Sequence, residues 1–184
     1  MKLFFLILFK IFLILTNLAG CAATEKINET DSDEQLNQGI ALLEEGQYDR
    51  AIAYFNKAIE LNPRDADAYN NRGLAYFEGK GQYDKAIVDY NRAIELNPRS
   101  AAAYNNRGLA YGYKGKYDKA ISDCNKAIEL NPRSAAAYNN RGLSYFNKRD
   151  YEKAWDDVHK AQNLGYKIHP GLLKALRQAS GRQE

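Results

Sequence analysis

The sequence predicts an all-α protein built from repeated helical hairpins. Two observations carry this prediction: residues 32–168 divide into four similar units, and small and apolar side chains recur in each unit at helical spacing. A single hairpin cannot bury its own apolar face, so the hairpins are expected to stack into a superhelix. The four units are residues 32–65, 66–100, 101–134 and 135–168; the second has 35 residues and the others have 34.

Residues 1–20 have the layout of a secretory signal peptide: a lysine, a long apolar stretch and small residues at the end. The sequence Leu-Ala-Gly-Cys at 18–21 resembles the lipobox of bacterial lipoproteins. That resemblance implies diacylglycerol and further fatty-acid (palmitate-type) chains on Cys21, with a flexible tether over residues 21–31. Lys10 interrupts the apolar stretch, and the alternative is a plain signal peptide or an uncleaved anchor with a chance cysteine.

The same resemblance implies a location. A lipidated Cys21 would hold the protein in the membrane of a bacterial cell envelope, because several acyl chains give stable anchoring. Residue 22 is Ala rather than Asp, which favours the outer membrane with the protein facing the periplasm.

Within each unit, small residues stand where two antiparallel helices must approach closely. Position 8 is always Gly, and positions 20 and 27 are always Ala. Proline at position 32 of the first three units cannot continue a helix, so the second helix should end there. Asp65, Ser100 and Ser134 are then expected to cap the next helix. The pattern covers nearly all of the chain after Cys21 and resembles the tetratricopeptide repeat (TPR), which implies a superhelix of four helix-turn-helix repeats.

The two ends of the array differ from its middle. Position 4 is Gln35 in the first unit and tyrosine in the other three, which suits an edge facing water. Residues 169–184 are expected to form a capping helix and a tail, with Leu172, Leu176 and Ala179 on one apolar stripe.

Arginine at position 7 and aspartate at position 23 occur together. They are present in units two, three and four, whereas unit one has Gln38 and Tyr54 at these positions. We predict a partly buried ion pair between the two helices of each of these units; the alternative is a solvated arginine. The predicted pairs are Arg72 with Asp89, Arg107 with Asp123 and Arg141 with Asp157.

Asparagines at positions 5 and 6 of the first helix need a reason, because each costs about half a kcal/mol in helix propensity relative to Ala. A carboxamide both donates and accepts hydrogen bonds, so it can pair with the backbone of any extended peptide. The row resembles the asparagine ladder of long TPR arrays, which implies a peptide-binding groove. An alternative that does not exclude binding is hydrogen bonding between adjacent repeats. The predicted groove residues are Asn37, Asn71, Asn106 and Asn140 at position 6, Asn70, Asn105 and Asn139 at position 5, and Leu74, Leu109, Leu143, Phe77, Tyr113 and Phe146 beside them.

Other functions lack support in the sequence. Without Lys2 and Lys10, 24 of the 26 basic residues remain against 23 acidic ones, a balance that gives no case for nucleic acid. Positions 2 and 5 hold no lysine, so capture of a free C-terminal carboxylate is not expected. Cys124 falls at an apolar position, and His159 and His169 have no partner at ligand spacing. We therefore expect no enzyme activity, metal, cofactor or small-molecule substrate.

The function expected from these features is a non-catalytic scaffold or adaptor. It would be lipid-anchored in the bacterial envelope and would hold an extended segment of a protein partner in its concave groove. The layout resembles that of NlpI-type TPR lipoproteins. The alternative is a structural component that assembles with itself through its edges or convex face, with no peptide in the groove.

Overall fold

The computed structural model describes residues 30–181, which form nine α-helices and no β-strand. The predicted signal peptide, Cys21 and most of the predicted tether lie outside the described residues. Within residues 30–181, no helix combines the length and the apolar character that crossing a membrane requires. The helices are α1 (30–44), α2 (Tyr48–Leu61), α3 (Ala66–Lys80), α4 (Tyr83–Leu96), α5 (Ala101–Tyr113), α6 (Tyr117–Leu130), α7 (Ala135–Asn147), α8 (Tyr151–Asn163) and α9 (Pro170–Ser180).

The predicted fold is confirmed. Helices α1 to α8 form four antiparallel hairpins, each first helix also packs on the second helix of the preceding hairpin, and α9 packs on α8. The first helix already includes residues 30 and 31, which the sequence assigns to the tether. Its first turn is held in place because Ser32 is fully buried and its Oγ donates to the Ala58 carbonyl oxygen at 3.1 Å.

Glycine at position 8 lets the two helices of a hairpin touch. A Cβ on Gly39 would lie 2.5 Å from the Phe55 ring, and one on Gly73 would lie 2.7 Å from the Tyr90 ring. Carbon atoms cannot approach so closely, so a side chain at either position would force the helices apart. The rings that use this space, Phe55 and Tyr90, are almost completely buried and anchor the core.

The chain turns between repeats through Asn-Pro-Arg sequences. The backbone N–H of Asn62 donates to the Ala58 carbonyl oxygen, and the Asn62 side-chain oxygen accepts from the Arg64 N–H at 3.1 Å. Asn97 and Asn131 repeat this arrangement. The fourth repeat has no such proline and ends at Gly165, whose φ of +88° favours glycine.

The three predicted N-cap residues all stand at the N-caps of their helices, and two of them make capping hydrogen bonds through their side chains. The Asp65 carboxylate accepts from the Asp67 and Ala68 N–H groups, and the Ser100 hydroxyl accepts from the Ala103 N–H. Ser134 stands at the N-cap of α7 as expected, although its side chain makes no capping hydrogen bond.

The last helix closes the apolar core of the fourth repeat. Leu176 is fully buried and Leu172 is partly buried beside Trp155, as the predicted stripe requires. Ala179 is exposed, and Leu173 packs on the core in addition to Leu172. The stripe is therefore wrong at Ala179, because the helix turns its Leu172–Leu173 edge inward.

Two glycines give a matched test of this packing. A Cβ on Gly73 would collide with Tyr90, whereas one on Gly112 would lie 3.8 Å from Ser144 Oγ, an ordinary contact. We expect Gly73→Ala to lower the free energy of unfolding by about 1–3 kcal/mol. Gly112→Ala should raise it by about 0.5–1 kcal/mol because alanine favours the helix. Urea unfolding followed by circular dichroism measures both; equal effects would contradict the packing argument.

Candidate functional site

Asparagines at positions 5 and 6 link the first helices of neighbouring repeats. Asn106 on α5 donates through Nδ2 to Oδ1 of Asn70 on α3, at 3.1 Å. Asn140 on α7 donates in the same way to Asn105 on α5, at 3.0 Å. The position-6 amide of one repeat thus bonds to the position-5 amide of the repeat before it.

The amides are also joined within each helix. Asn105 Nδ2 lies 3.5 Å from Asn106 Oδ1, and Asn139 Nδ2 lies 3.3 Å from Asn140 Oδ1. Four contacts therefore connect five carboxamides in one line, with every donor oriented the same way. We call this line the amide chain; its members in order are Asn139, Asn140, Asn105, Asn106 and Asn70.

The amide chain stops at the second repeat for a reason visible in the first. Position 5 of repeat one is Leu36, so Asn71 has no amide to bond across the interface. Asn71 Nδ2 instead donates to the Asp67 carbonyl oxygen of its own helix at 3.0 Å. Asn37 is exposed. The structure thus brings five of the seven predicted asparagines together and leaves Asn37 and Asn71 outside the chain.

Apolar side chains lie beside the amide chain, on the surface that the first helices share, here called the groove. Between α5 and α7 this surface opens into a cavity of ≈ 210 Å³ lined by Leu109, Leu143 and Asn140. Leu74 is partly buried. The cavity is completed by Gly108, Gly112, Tyr113, Tyr117, Ser144 and Asn147.

The predicted aromatic residues of the groove divide into two groups. Phe77 and Tyr113 contact each other edge to face, with ring centroids 5.1 Å apart, and Tyr113 is 60 % exposed. Phe146 lies instead against the core of the fourth repeat, with its ring 5.9 Å from that of Tyr151. Phe146 therefore contributes to packing beside α8 and α9, whereas Tyr113 lines the cavity.

Arginine and aspartate at positions 7 and 23 form two-pronged ion pairs. Arg107 donates through Nε and Nη2 to the two carboxylate oxygens of Asp123, both at 2.7 Å. Arg72 with Asp89 and Arg141 with Asp157 have the same geometry, at 2.6–2.8 Å. The three aspartates are buried, with residue exposures between 3 % and 7 %. Hydrogen bonding to the aspartate raises the pKa of each arginine against the opposing effect of desolvation, so the guanidinium stays charged.

Each arginine has a third partner that the sequence analysis missed. Nη1 of Arg107 donates to Oδ1 of Asn91, on the second helix of the preceding repeat, at 2.8 Å. Each arginine therefore joins its own helix to the second helices of two repeats. The sequence contains a pattern that could have predicted this partner. Position 25 is Asn in the three units that precede an arginine-bearing unit, and it is His159 in the last unit. The corresponding partners are Asn56 for Arg72 and Asn125 for Arg141.

Comparisons with known proteins agree with this architecture. Family models described as tetratricopeptide repeat match residues 36–101, 78–111, 101–134 and 124–156. The chain belongs to the tetratricopeptide repeat family. TPR proteins are generally non-catalytic interaction modules.

Solved TPR structures share the fold over most of this chain. A crystal structure of MamA is 31 % identical with a TM-score of 0.66, and the match covers 78 % of this chain and 85 % of MamA. The first TPR of Spaghetti (RPAP3), bound to the HSP90 peptide SRMEEVD, is 27 % identical with a TM-score of 0.62, covering 64 % of this chain and 93 % of that one. The wheat (Triticum aestivum) Hsp70-Hsp90 organizing protein is 38 % identical over 45 residues, which are 24 % of this chain but only 8 % of the wheat protein.

The remaining reactive side chains of this TPR array have structural surroundings. Cys124 is fully buried, and desolvation raises the pKa of its thiol to about 12, which disfavours the reactive thiolate. His169 caps α9 by accepting the Gly171 N–H at its Nδ1, and the His159 ring lies 5.2 Å from that of Trp155. Among residues 30–181, no cluster of three or more His, Cys, Asp or Glu side chains could hold a metal ion.

The arginine contacts give a stability test. Asp123→Ala would leave the Arg107 guanidinium without its counter-charge and should cost about 3–5 kcal/mol of unfolding free energy. Replacing both Arg107 and Asp123 with Leu should cost less than Asp123→Ala alone, because no buried charge is then left unpaired. Thermal and urea unfolding of the variants measure these differences.

Asp118→Ala is the matched control, because Asp118 pairs with Lys148 at an exposed site on the same helix as Asp123. It should change stability little, since exposed ion pairs contribute little. If Asp123→Ala proved as mild as Asp118→Ala, the arginine pairs would not hold the repeats together.

Proposed function

We propose that this protein is a non-catalytic interaction scaffold that holds an extended segment of a partner protein along its groove. The observation that carries the proposal is the amide chain, which runs without interruption through three repeats beside Leu109 and Leu143. Carboxamides can hydrogen-bond to a peptide backbone whatever the side chains of the peptide are, and the leucines add apolar contact. This combination suits recognition of a main chain better than it suits a small polar ligand.

The amide chain keeps hydrogen-bonding capacity for a ligand. A carboxamide has two N–H groups and two acceptor lone pairs, and each inner member uses one of each kind in the chain. Within the described residues, Nδ2 of Asn70 and Oδ1 of Asn139 make no hydrogen bond at the two ends. An extended peptide presents an N–H or C=O group to each side at regular intervals, so it can meet donors and acceptors spaced in this way.

The same hydrogen bonds prepare the groove for binding. Because Asn140 and Asn106 are held by amides of the neighbouring repeat, their side chains are ordered before a ligand arrives. Ordering side chains on binding costs free energy, and a preformed row avoids much of that cost. The two interpretations of the asparagines, repeat packing and peptide binding, therefore support each other.

The similarity to known TPR structures favours a peptide as the ligand class. The RPAP3 domain is bound to an HSP90 peptide, and it shares the fold of this chain at 27 % identity. The chemistry of the peptide should differ here, because positions 2 and 5 of the groove contain no lysine to hold an acidic terminus.

A photo-crosslinking experiment tests this function. A benzophenone amino acid placed at Leu109 in the groove should capture one short segment of a partner protein in the native host. The same group at Ser122, exposed on the second helix α6, is the matched control and should not capture that segment. If crosslinks arise only at Ser122 and join two copies of the chain, the function is self-assembly through the outer face and the groove proposal is wrong.

We further propose that the scaffold is anchored in a bacterial envelope by lipid on Cys21, in the outer membrane and facing the periplasm. Support comes from the sequence Leu-Ala-Gly-Cys at 18–21 after an apolar segment. Such a tethered TPR array would share the layout of NlpI-type lipoproteins. Two or more acyl chains would keep the array at the membrane while the tether leaves the groove open.

Metabolic labelling tests the anchor. With an alkyne analogue of palmitate, the wild-type chain should become labelled and sediment with membranes. Cys21→Ser should lose the label and the membrane association, while Cys124→Ser, the other cysteine variant, keeps both. Label retained by Cys21→Ser would show that Cys21 is not the acylated residue.

A further inference from the structure

The first helices change in charge along the array. In repeats one and two, positions 2 and 13 of the first helix are all acidic. In repeats three and four the same positions carry no charge. The acidic residues are Asp33, Glu44, Asp67 and Glu78, and their uncharged counterparts are Ala102, Tyr113, Ala136 and Asn147.

The acidic side chains are available to a ligand. All four are exposed, and none forms an ion pair with a side chain that the structure describes. The lysines that follow α5 and α7 are already neutralised, since Lys114 pairs with Asp84 and Lys148 with Asp118. Repeat one also carries seven acidic and three basic residues in all, so its part of the groove attracts cations.

The cavity between α5 and α7 lies at the interface of repeats three and four, at the place where the interface of repeats two and three has a cluster of three rings. Between repeats two and three, Phe77, Tyr83 and Tyr113 lie with centroids 5.1–5.3 Å apart. One repeat later the equivalent residues are Gly112, Tyr117 and Asn147, all of which line the cavity. Two of the three rings are absent at the second interface, and the cavity occupies their place.

Two polar side chains of the cavity wall are already hydrogen-bonded within α7. Ser144 Oγ donates to the Asn140 carbonyl oxygen at 2.9 Å, and Asn147 Nδ2 donates to the Leu143 carbonyl oxygen at 2.8 Å. Leu109, Leu143 and the rings of Tyr113 and Tyr117 form much of the remaining wall, so an apolar guest that displaces water there leaves few polar groups without a partner. An aromatic ring fits best, because it can pack on Tyr117 as Phe77 packs on Tyr83.

We infer that the groove recognises a segment in which an aromatic side chain enters this cavity and basic side chains lie against repeats one and two. The inference rests on the proposed function and names the chemistry of the partner. Neighbouring packed helices lie about 8–10 Å apart, and an extended chain rises about 3.3 Å per residue. The cavity lies between α5 and α7, so α3 with Asp67 and Glu78 is about one and a half helix spacings, or about 12–15 Å, away, and the basic residues should begin about four residues from the aromatic one.

Synthetic peptides test the assignment. The probes are end-blocked and fluorescently labelled, with one Phe and two Lys separated by Ser and Ala, made in both orders because the chain direction is open. Their affinity for the full chain is measured by fluorescence anisotropy. Replacing Phe with Ala should weaken the better-binding order about tenfold or more, the value of burying one aromatic side chain. Replacing both Lys with Glu should weaken it further, and added salt should reduce the difference.

Protein variants locate the two contacts. Gly112→Phe supplies the missing ring from the protein itself, as Phe77 and Phe146 do at this position of repeats two and four. It should weaken the Phe peptide about tenfold and leave the Ala peptide unchanged. Ser122→Phe adds the same ring at an exposed site on α6 and is the matched control. Asp67→Asn combined with Glu78→Gln should reduce the preference for Lys over Glu.

The outcomes separate this inference from the proposed function. Equal binding of the Phe peptide by wild type and by folded Gly112→Phe would overturn the cavity assignment. Equal binding of the Lys and Glu peptides by wild type would overturn the charge assignment. A dimer that Gly112→Phe dissociates would show that a second copy occupies the cavity and would also overturn it. In the first two cases a partner segment crosslinked from Leu109 would still support the groove as a binding site.

Discussion

The array depends on an arginine that reaches three helices at once. Its two parallel hydrogen bonds to aspartate fix the angle between the helices of one hairpin, and its third donor reaches asparagine on the hairpin before. The guanidinium suits this task because its donors lie in one rigid plane. The tyrosine at position 4 covers it, with Tyr104 5.5 Å from Arg107, and so shields the contacts from water. Three such arginines connect α2 to α8 in one continuous series.

The groove follows from the repetition of the hairpins. Once the hairpins stack at a fixed angle, position 6 of each first helix meets position 5 of the one before. Where both positions are asparagine, the two side chains form a hydrogen bond. Leu36 at position 5 of repeat one ends the series. The asparagines therefore serve the array even without a ligand, which explains how residues of poor helix propensity are tolerated there.

The helices could be predicted from the sequence because the period, the glycines and the prolines each act locally. The pairing of arginine with aspartate was also visible, since the two residues vary together from unit to unit. Three features were harder to foresee. The partners of the asparagines depend on how neighbouring helices are offset, and the role of Asn91 requires knowing that Arg107 reaches backward. The cavity is lined by residues of three different helices, so no single stretch of sequence predicts it.

The near-identity of the middle repeats has a consequence for how the protein can evolve. Residues 68–76 and 103–111 are the same nine amino acids, and their arginines make the same contacts to aspartate and asparagine on the neighbouring helices. A whole unit of this type could be duplicated or deleted in the gene while each arginine keeps its aspartate and asparagine partners. The distance between an acidic first repeat and an apolar cavity near the end could thus be reset in steps of one hairpin, matching partners of different length.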